Sequence, residues 1–423
     1  MSGRAFVIGG GLSGLSAATR LAEKGVAVTL VEAAGQAGGR CRSYFDAALG
    51  MVIDNGNHLV LSGNRAVHDY LARIGARDAL AGPERAEFHF ADLASGARWA
   101  LKPDEGALPL WVMQGSRRVP GTGAKDYAAY LPLLWAGTAA RISECVPVTD
   151  ALWERLMRPF LLAALNTEPE DSSAALAGAV VRETLAKGGW HYRPRIAHPT
   201  LAAAFVEPAL AYLAARGAAV KLGTRLRGLT LSARDAAALD LPDGIEPVGP
   251  GDAVVLAVPP WAACDLLPGL MVPNEFRAIV NGHFRVAPPP EFLPQDGAPA
   301  MLGVIGGTVE WIFAFPDRIS VTVSGADAIV DRPREDLAAI LWSDVVDALG
   351  IDTVLPPWQV VKEKRATFAA TPAQDARRPP ARSQWRNLFL AGDWTQTGLP
   401  ATIEGALRSG ETAAALALKH LAL

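Results

Sequence analysis

The sequence predicts an α/β fold in which the two ends of the chain build one doubly wound unit and a β-plus-helix insertion fills the middle. Three observations predict it. The chain opens as strand, glycine turn, helix, strand over residues 5–31. It closes as a short buried strand at 388–391 followed by one long helix. Between them, residues 279–323 are rich in β-branched and aromatic side chains. At 423 residues, 50% hydrophobic and 20% charged, there is apolar matter for two or three domains, and disorder is excluded.

Taken in order, residues 5–8 are a β run and 13–24 carry apolar side chains at helical spacing. Gly25 stops that helix, and 26–31 form a second strand. From about 65 to 195 the pattern is mostly helical, broken by Gly and Pro, with a strand or hairpin near 86–101. Residues 201–215 read as a helix ended at Gly217, 219–231 as a strand pair, and 253–258 as a buried strand closed by Pro259-Pro260. The strands 309–315 and 319–323 flank Pro316-Asp317-Arg318, a hairpin turn. A helix follows at 336–349, a strand at 358–368, a polar, proline-rich connector at 371–382, the 388–391 strand, and a closing helix at 401–421.

Composition excludes several classes. The net charge of −3 offers no basic field, so no nucleic-acid partner is expected. Cys41, Cys145 and Cys264 stand far apart without a Cys-x-x-Cys pair, which excludes a disulfide scaffold or zinc ribbon and suits a reducing cytoplasm. The seven histidines include no His-x-x-x-His, and no metal is expected. The apolar start is too short for a signal peptide. The longest apolar stretches, 201–215 and 253–272, are interrupted by Glu207-Pro208 and by Pro259-Pro260, Asp265 and Pro268, so no membrane span is expected.

The first chemical motif is the glycine turn. Gly9, Gly11 and Gly14, with Leu12 and Ser13 between, satisfy Gly-x-Gly-x-x-Gly after a strand and at the start of a helix. Such a turn lets backbone approach a pyrophosphate, and the helix N-terminus offers it free N–H groups. The second strand ends at Glu32, where a carboxylate can take ribose hydroxyls. Gly38-Gly39-Arg40 adds a second glycine turn and a cation for the phosphates. Near the other end a buried strand runs into Gly392-Asp393, and Thr402-Ile403-Glu404-Gly405-Ala406 opens the last helix.

Together these motifs resemble, over nearly the whole chain, the FAD-dependent amine oxidase and phytoene desaturase superfamily. Finer features are similar to its squalene-associated branch, the hydroxysqualene dehydroxylases: Asp54-Asn55-Gly56-Asn57-His58-Leu59, Asn281-Gly282-His283-Phe284, Lys364-Arg365-Ala366-Thr367-Phe368 and Gly392-Asp393-Trp394-Thr395-Gln396. Asn57 departs from the branch, standing where glutamine is expected.

The resemblance implies a Rossmann-like FAD-binding domain from 1–75, 198–265 and 383–423, with an α+β substrate domain from 76–197 and 266–382. It implies non-covalent FAD held by Gly9, Gly11, Leu12, Ser13, Gly14, Glu32, Gly38, Gly39, Arg40, Gly56, Asn57, His58, Leu226, Gly392, Asp393, Thr402 and Ile403. The substrate would be hydroxysqualene, a long-chain isoprenoid alcohol reduced to squalene. The electron donor is not named by the sequence. His58 is the expected proton donor, with His283 as second candidate, and Trp311, Phe313, Phe315 and Trp394 would line an apolar tunnel. So insoluble a substrate implies a cytoplasmic protein in peripheral contact with the inner face of the membrane, through 108–113 and 127–142 with Arg117, Arg118 and Arg141. A carotenoid-type desaturase shares these motifs and is the alternative. A disulfide reductase lacks its second glycine fingerprint here, and the flavin-free prenyl carriers of this fold do not call for Gly-Gly-Arg and Gly-Asp.

Overall fold

The strand Arg4–Ile8 is buried along four of its five residues, as a parallel strand covered on both faces must be. In the computed structural model, which describes residues 3–294 and 298–421, it is the centre of a five-stranded parallel sheet. Ala27–Val31 and then Ala219–Lys221 lie on one side of it, Ala253–Leu256 and Leu388–Leu390 on the other. Helices Leu12–Glu23 and Ile403–His420 pack together on this sheet. They approach closely because a Cβ on Gly410 would lie 2.2 Å from the Ser13 carbonyl oxygen.

The second sheet has seven strands, ordered Trp358–Phe368, Phe276–Phe284, Arg318–Val323, Trp311–Phe315, Ala300–Ile305, Phe88–Asp92 and Arg98–Leu101. Side chains alternate across it. Val280, Phe284, Ile319, Val321, Val323 and Ile312 pack under helix Arg334–Leu349 on the outer face. The inner face presents Asn281, His283, Ser320, Thr322, Trp311, Phe313 and Phe315, in register with one another. A small sheet of Leu59–Leu61, Pro194–Ala197 and Leu80–Ala81 lies against that face through Leu59 and Ile196.

Several expectations change on contact with the fold. The strands at 219–221 and 228–231 do not pair with each other: the first joins the parallel sheet, and the second pairs with Ala236–Leu241 in a separate three-stranded sheet. The 201–215 helix begins with a π turn, Ala202–Val206, ahead of Pro208, whose missing N–H forbids a regular ladder there. The mostly helical 65–195 region resolves largely into short 3₁₀ turns and brief helices. The 371–382 connector contains a one-turn helix, Pro372–Asp375, capped by Thr371. The three cysteines are free, and no cluster of metal-ligating side chains occurs among the described residues.

Candidate active site

The two glycine turns meet first. The Gly38 N–H donates to the Gly10 carbonyl at 2.8 Å, fixing Gly-Gly-Arg against the first turn. Gly9 has φ +111°, and a Cβ there would meet the Ala257 carbonyl oxygen at 2.3 Å; a Cβ on Gly14 would meet the Gly9 oxygen at 1.8 Å. Nothing lies within 4 Å of the Cβ position at Gly11, so the chain is open on that side just ahead of helix Leu12–Glu23. Shut on one side and open on the other, this cradle fits a pyrophosphate. Glu32 is fixed at the strand end by N–H donors from Gly10 (2.6 Å) and Ala34 (2.7 Å). It borders a cavity of about 440 Å³ with Ala34, Gly35, Gln36, Gly39 and Arg42, on the side where an adenosine would follow the phosphates. Thr224 donates to the Glu32 carbonyl at 2.8 Å, bringing the buried Leu226 segment alongside.

Arg40 reaches across to the C-terminal motif. Its Nη2 pairs with Asp393 at 2.7 Å and its Nη1 donates to the Ala366 carbonyl at 2.5 Å. Gly392, at φ +149°, is required because a Cβ would lie 2.2 Å from the Trp394 indole nitrogen, which itself donates to Val258. The loop after Asp393 is cast by Arg378, buried inside the protein. Its guanidinium donates to the carbonyls of Thr395 (2.9 Å) and Asp393 (3.1 Å) and to the Thr397 hydroxyl (2.7 Å). Sequence reasoning left Arg378 in a connector, and no local pattern marks it. Thr402 caps the last helix by accepting the Gly405 N–H at 3.0 Å, with Ile403 buried behind it.

The turn 54–58 is tied to the inner face of the second sheet. The Asn57 amide donates to the Val321 carbonyl (3.2 Å) and the Thr322 hydroxyl (3.1 Å). Asn281 accepts from the Asn57 N–H (3.3 Å) and from Thr322 (2.9 Å). Gly56 admits this approach, since its Cβ would sit 2.9 Å from the Asn281 amide nitrogen. The shorter amide at 57 thus joins turn to sheet, and Asn281 is a joint that the motif contained without announcing its role.

The two histidines are poorly placed to give up a proton. His58 Nδ1 donates to the Gly56 carbonyl at 3.1 Å, which leaves Nε2 a lone pair facing the buried Cys41 thiol at 4.0 Å. Burial lowers its pKa, and the Arg40 cation adds to that. His283 is buried with Nδ1 against Ser320 Oγ at 2.9 Å, and burial with the nearby Arg318 pushes it down to about 3. Burial thus favours the neutral form of both imidazoles. A different acid, Glu310, stands just before the strand Trp311–Phe315. Glu310 donates its N–H to the Thr322 carbonyl at 3.2 Å, and its Oε2 accepts the Ser324 N–H at 3.0 Å. Burial pushes its carboxyl up to about 7. Its signal in the sequence was a lone carboxylate inside the apolar run 309–315.

Known proteins resemble this chain along nearly its whole length. The family profile described as flavin containing amine oxidoreductase matches residues 12–418. A hydroxysqualene dehydroxylase of Rhodopseudomonas palustris is 57% identical over 99% of both chains, and one of Sinorhizobium fredii is 53% identical over 98% of both. Among solved structures, cyclohexylamine oxidase from Brevibacterium oxydans shares the fold at TM-score 0.68 and 15% identity over 100% of both chains. A putrescine oxidase variant does so at 0.70 and 17%, over 98% of this chain and 99% of its own. The chain therefore belongs to the flavin-containing amine oxidoreductases, among the hydroxysqualene dehydroxylases.

Proposed function

We propose that this FAD-dependent oxidoreductase reductively removes the hydroxyl group of hydroxysqualene, releasing squalene and water. The observation that carries the reading is the 57% identity, end to end, with a relative of that name. Reduced FAD, when bound, supplies the hydride. The residues of this chain hold the cofactor, exclude water and manage one proton. Residues 1–75, 198–265 and 383–423 form the cofactor domain, and 76–197 with 266–382 the substrate domain. All five strands of the parallel sheet lie in the first set, and all seven of the second sheet in the other.

Gly9, Gly11, Leu12, Ser13 and Gly14 receive the pyrophosphate with Gly38 and Gly39, and Glu32 takes the ribose hydroxyls beside Leu226. Arg40 and Asp393 exchange their mutual ion pair for polar groups of the cofactor, and Gly392, Thr402 and Ile403 border it at the last helix. Gly56, Asn57 and His58 frame it from the turn joined to the second sheet. Binding is non-covalent, since residues 392–411 hold no Cys or His to form a link. Trp311, Phe313 and Phe315 give the inner sheet face an apolar, water-excluding lining, with Trp394 buried behind the Gly-Asp turn. Loss of hydroxide from an allylic carbon needs a proton at the leaving oxygen. The buried carboxylic acid of Glu310 supplies it, with His58 and His283 holding the turn and the sheet in place. A substrate so poor in water is taken from a bilayer by peripheral contact at the inner face of the membrane.

The decisive experiment is anaerobic. Hydroxysqualene added to the dithionite-reduced protein should reoxidise the bound flavin and yield squalene in equal amount. A flavin that stays reduced, with no squalene formed, overturns the reading. Replacing Glu32 by Ala should weaken FAD binding by roughly 1.5–3 kcal/mol, the size of a hydrogen bond to a charged group, and acid precipitation should release all the flavin.

A further inference from the structure

Three short turns of the substrate-side region carry large apolar side chains outward. Leu108, Leu110 and Met113 stand on the first, Leu131 and Trp135 on the second, and Trp190 on the third. Trp135 is 78% exposed, Leu108 73% and Trp190 60%. These are not loose core residues, because the same turns already send Trp111, Val112 and Leu133 inward. The first two turns therefore anchor themselves and still present a second apolar set to solvent, an arrangement that costs solubility unless something covers it.

The turns are neighbours, linked one to the next. The Gly189 N–H donates to the Asp104 carbonyl at 2.7 Å and the Trp190 N–H to that of Glu105 at 3.2 Å, joining the third turn to the segment leading into the first. Trp111 meets Tyr127 edge to face at 5.3 Å, joining the first turn to the helix that leads into the second. Arg182 donates to the Leu134 carbonyl at 2.6 Å, joining the second to the helix that leads into the third.

Charge identifies the occupant. The carboxylates here are already engaged: Asp104 with Arg117 at 2.8 Å, Glu105 with Arg193 at 2.7 Å, Glu183 with Arg408 at 2.7 Å, and Asp126 with the Gly123 N–H at 2.7 Å. Lys125, Arg182 and Lys187 are exposed and make no ion pair among the described residues. Protruding tryptophan, leucine and methionine ringed by unpaired cations suit the headgroup layer of an anionic bilayer: indole rings settle at the interface, and lysines meet the phosphates.

We infer that the face carrying Leu108, Leu110, Met113, Leu131, Trp135 and Trp190 seats the protein on an anionic phospholipid surface. This deepens the proposed function, resting on it only for the lipid origin of the substrate. Behind the face, Trp111, Val112 and Leu133 belong to the same apolar cluster as Phe90 and Trp99 on the second sheet, with Trp311 packed against it. No helix among the described residues is long and apolar enough to cross a membrane, so the contact is interfacial.

Flotation with vesicles tests this using the FAD-loaded protein. It should float with phosphatidylcholine–phosphatidylglycerol vesicles and far less with phosphatidylcholine alone. L110E/M113E/W135E should remain at the bottom of the gradient. K125E and K187E should each weaken binding at least fivefold, since the loss of one cation near such a surface is worth about 1 kcal/mol. Flavin content and thermal midpoint check that each variant is folded, and K125E and K187E, which alter charge alone, stand if the triple variant fails that check. Equal flotation with neutral vesicles, or flotation untouched by these changes, overturns the inference. So does a dimer in solution that the triple variant dissolves while vesicles capture nothing, which would make the face a contact between copies. If the protein floats as expected but forms no squalene in detergent, the function reading fails and the surface stands.

Discussion

Burial shifts three titratable groups of the site and the second sheet. It lowers His58, pushes His283 down to about 3, and raises Glu310 to about 7. A proton donor has to carry its proton at the working pH, which the raised Glu310 carboxyl does and the His283 imidazole, down at about 3, does not. Turnover limited by this acid should decline as pH rises through about 7, because the acid form is lost there. Glu310→Gln should slow the reaction by roughly 10² to 10⁴ and flatten that limb, with FAD content unchanged. His58→Ala should keep both the limb and most of the rate; if it loses them while Glu310→Gln does not, the proton passes through His58. Stability carries the same sign. The folded protein keeps a proton on Glu310 between its ordinary 4.5 and about 7, where the unfolded chain has released it. This carboxyl therefore makes stability fall as pH rises across that interval, and the glutamine variant should lack the slope.

At the scale of elements, what was legible is what is local. The glycine turn, Glu32 and the hairpin around Pro316-Asp317-Arg318 follow from a few consecutive residues, and the strands and helix appear there. What was not legible depends on partners distant in the chain. Whether 219–221 pairs with 228–231 or with 27–31 is decided by the parallel sheet, and no pattern within 219–231 reports it. Arg378 likewise has meaning only once the loop at 393–397 has folded around it. Asn281 is the clearest case, being a polar residue in a buried strand whose partners are Asn57 and Thr322. Asn281→Leu should leave the turn's N–H and the Thr322 hydroxyl without their acceptor. A loss on the order of 2–4 kcal/mol is expected in urea unfolding, together with weaker FAD retention because the turn 54–58 loses its seat. Unchanged stability would mean that Asn57, through Val321 and Thr322, holds the turn alone.

At the scale of the whole molecule, the cofactor site is assembled from parts that the chain visits at opposite ends. Arg40 near the start meets Asp393 near the end, and the first helix packs on the last. A ligand that binds only this assembled form stabilises it by mass action, about 2.7 kcal/mol at a hundred times its dissociation constant. The parallel sheet should therefore gain stability from FAD directly. The second sheet, with its own core under helix Arg334–Leu349, should gain only what passes through the joint of Asn57, Asn281 and Thr322. Removing FAD should then lower the melting of the parallel sheet more than that of the second sheet. Hydrogen exchange resolves the two: amides of Arg4–Ile8 and Ala253–Leu256 should lose protection in the apo protein, while those of Ile319–Val323 lose much less. Asn281→Leu, compared with and without saturating FAD, should widen the gap, since it cuts the link between the two sheets. Equal loss of protection in both sheets, in the wild type and the variant alike, would show that the molecule unfolds as one unit and that the joint carries no separable coupling.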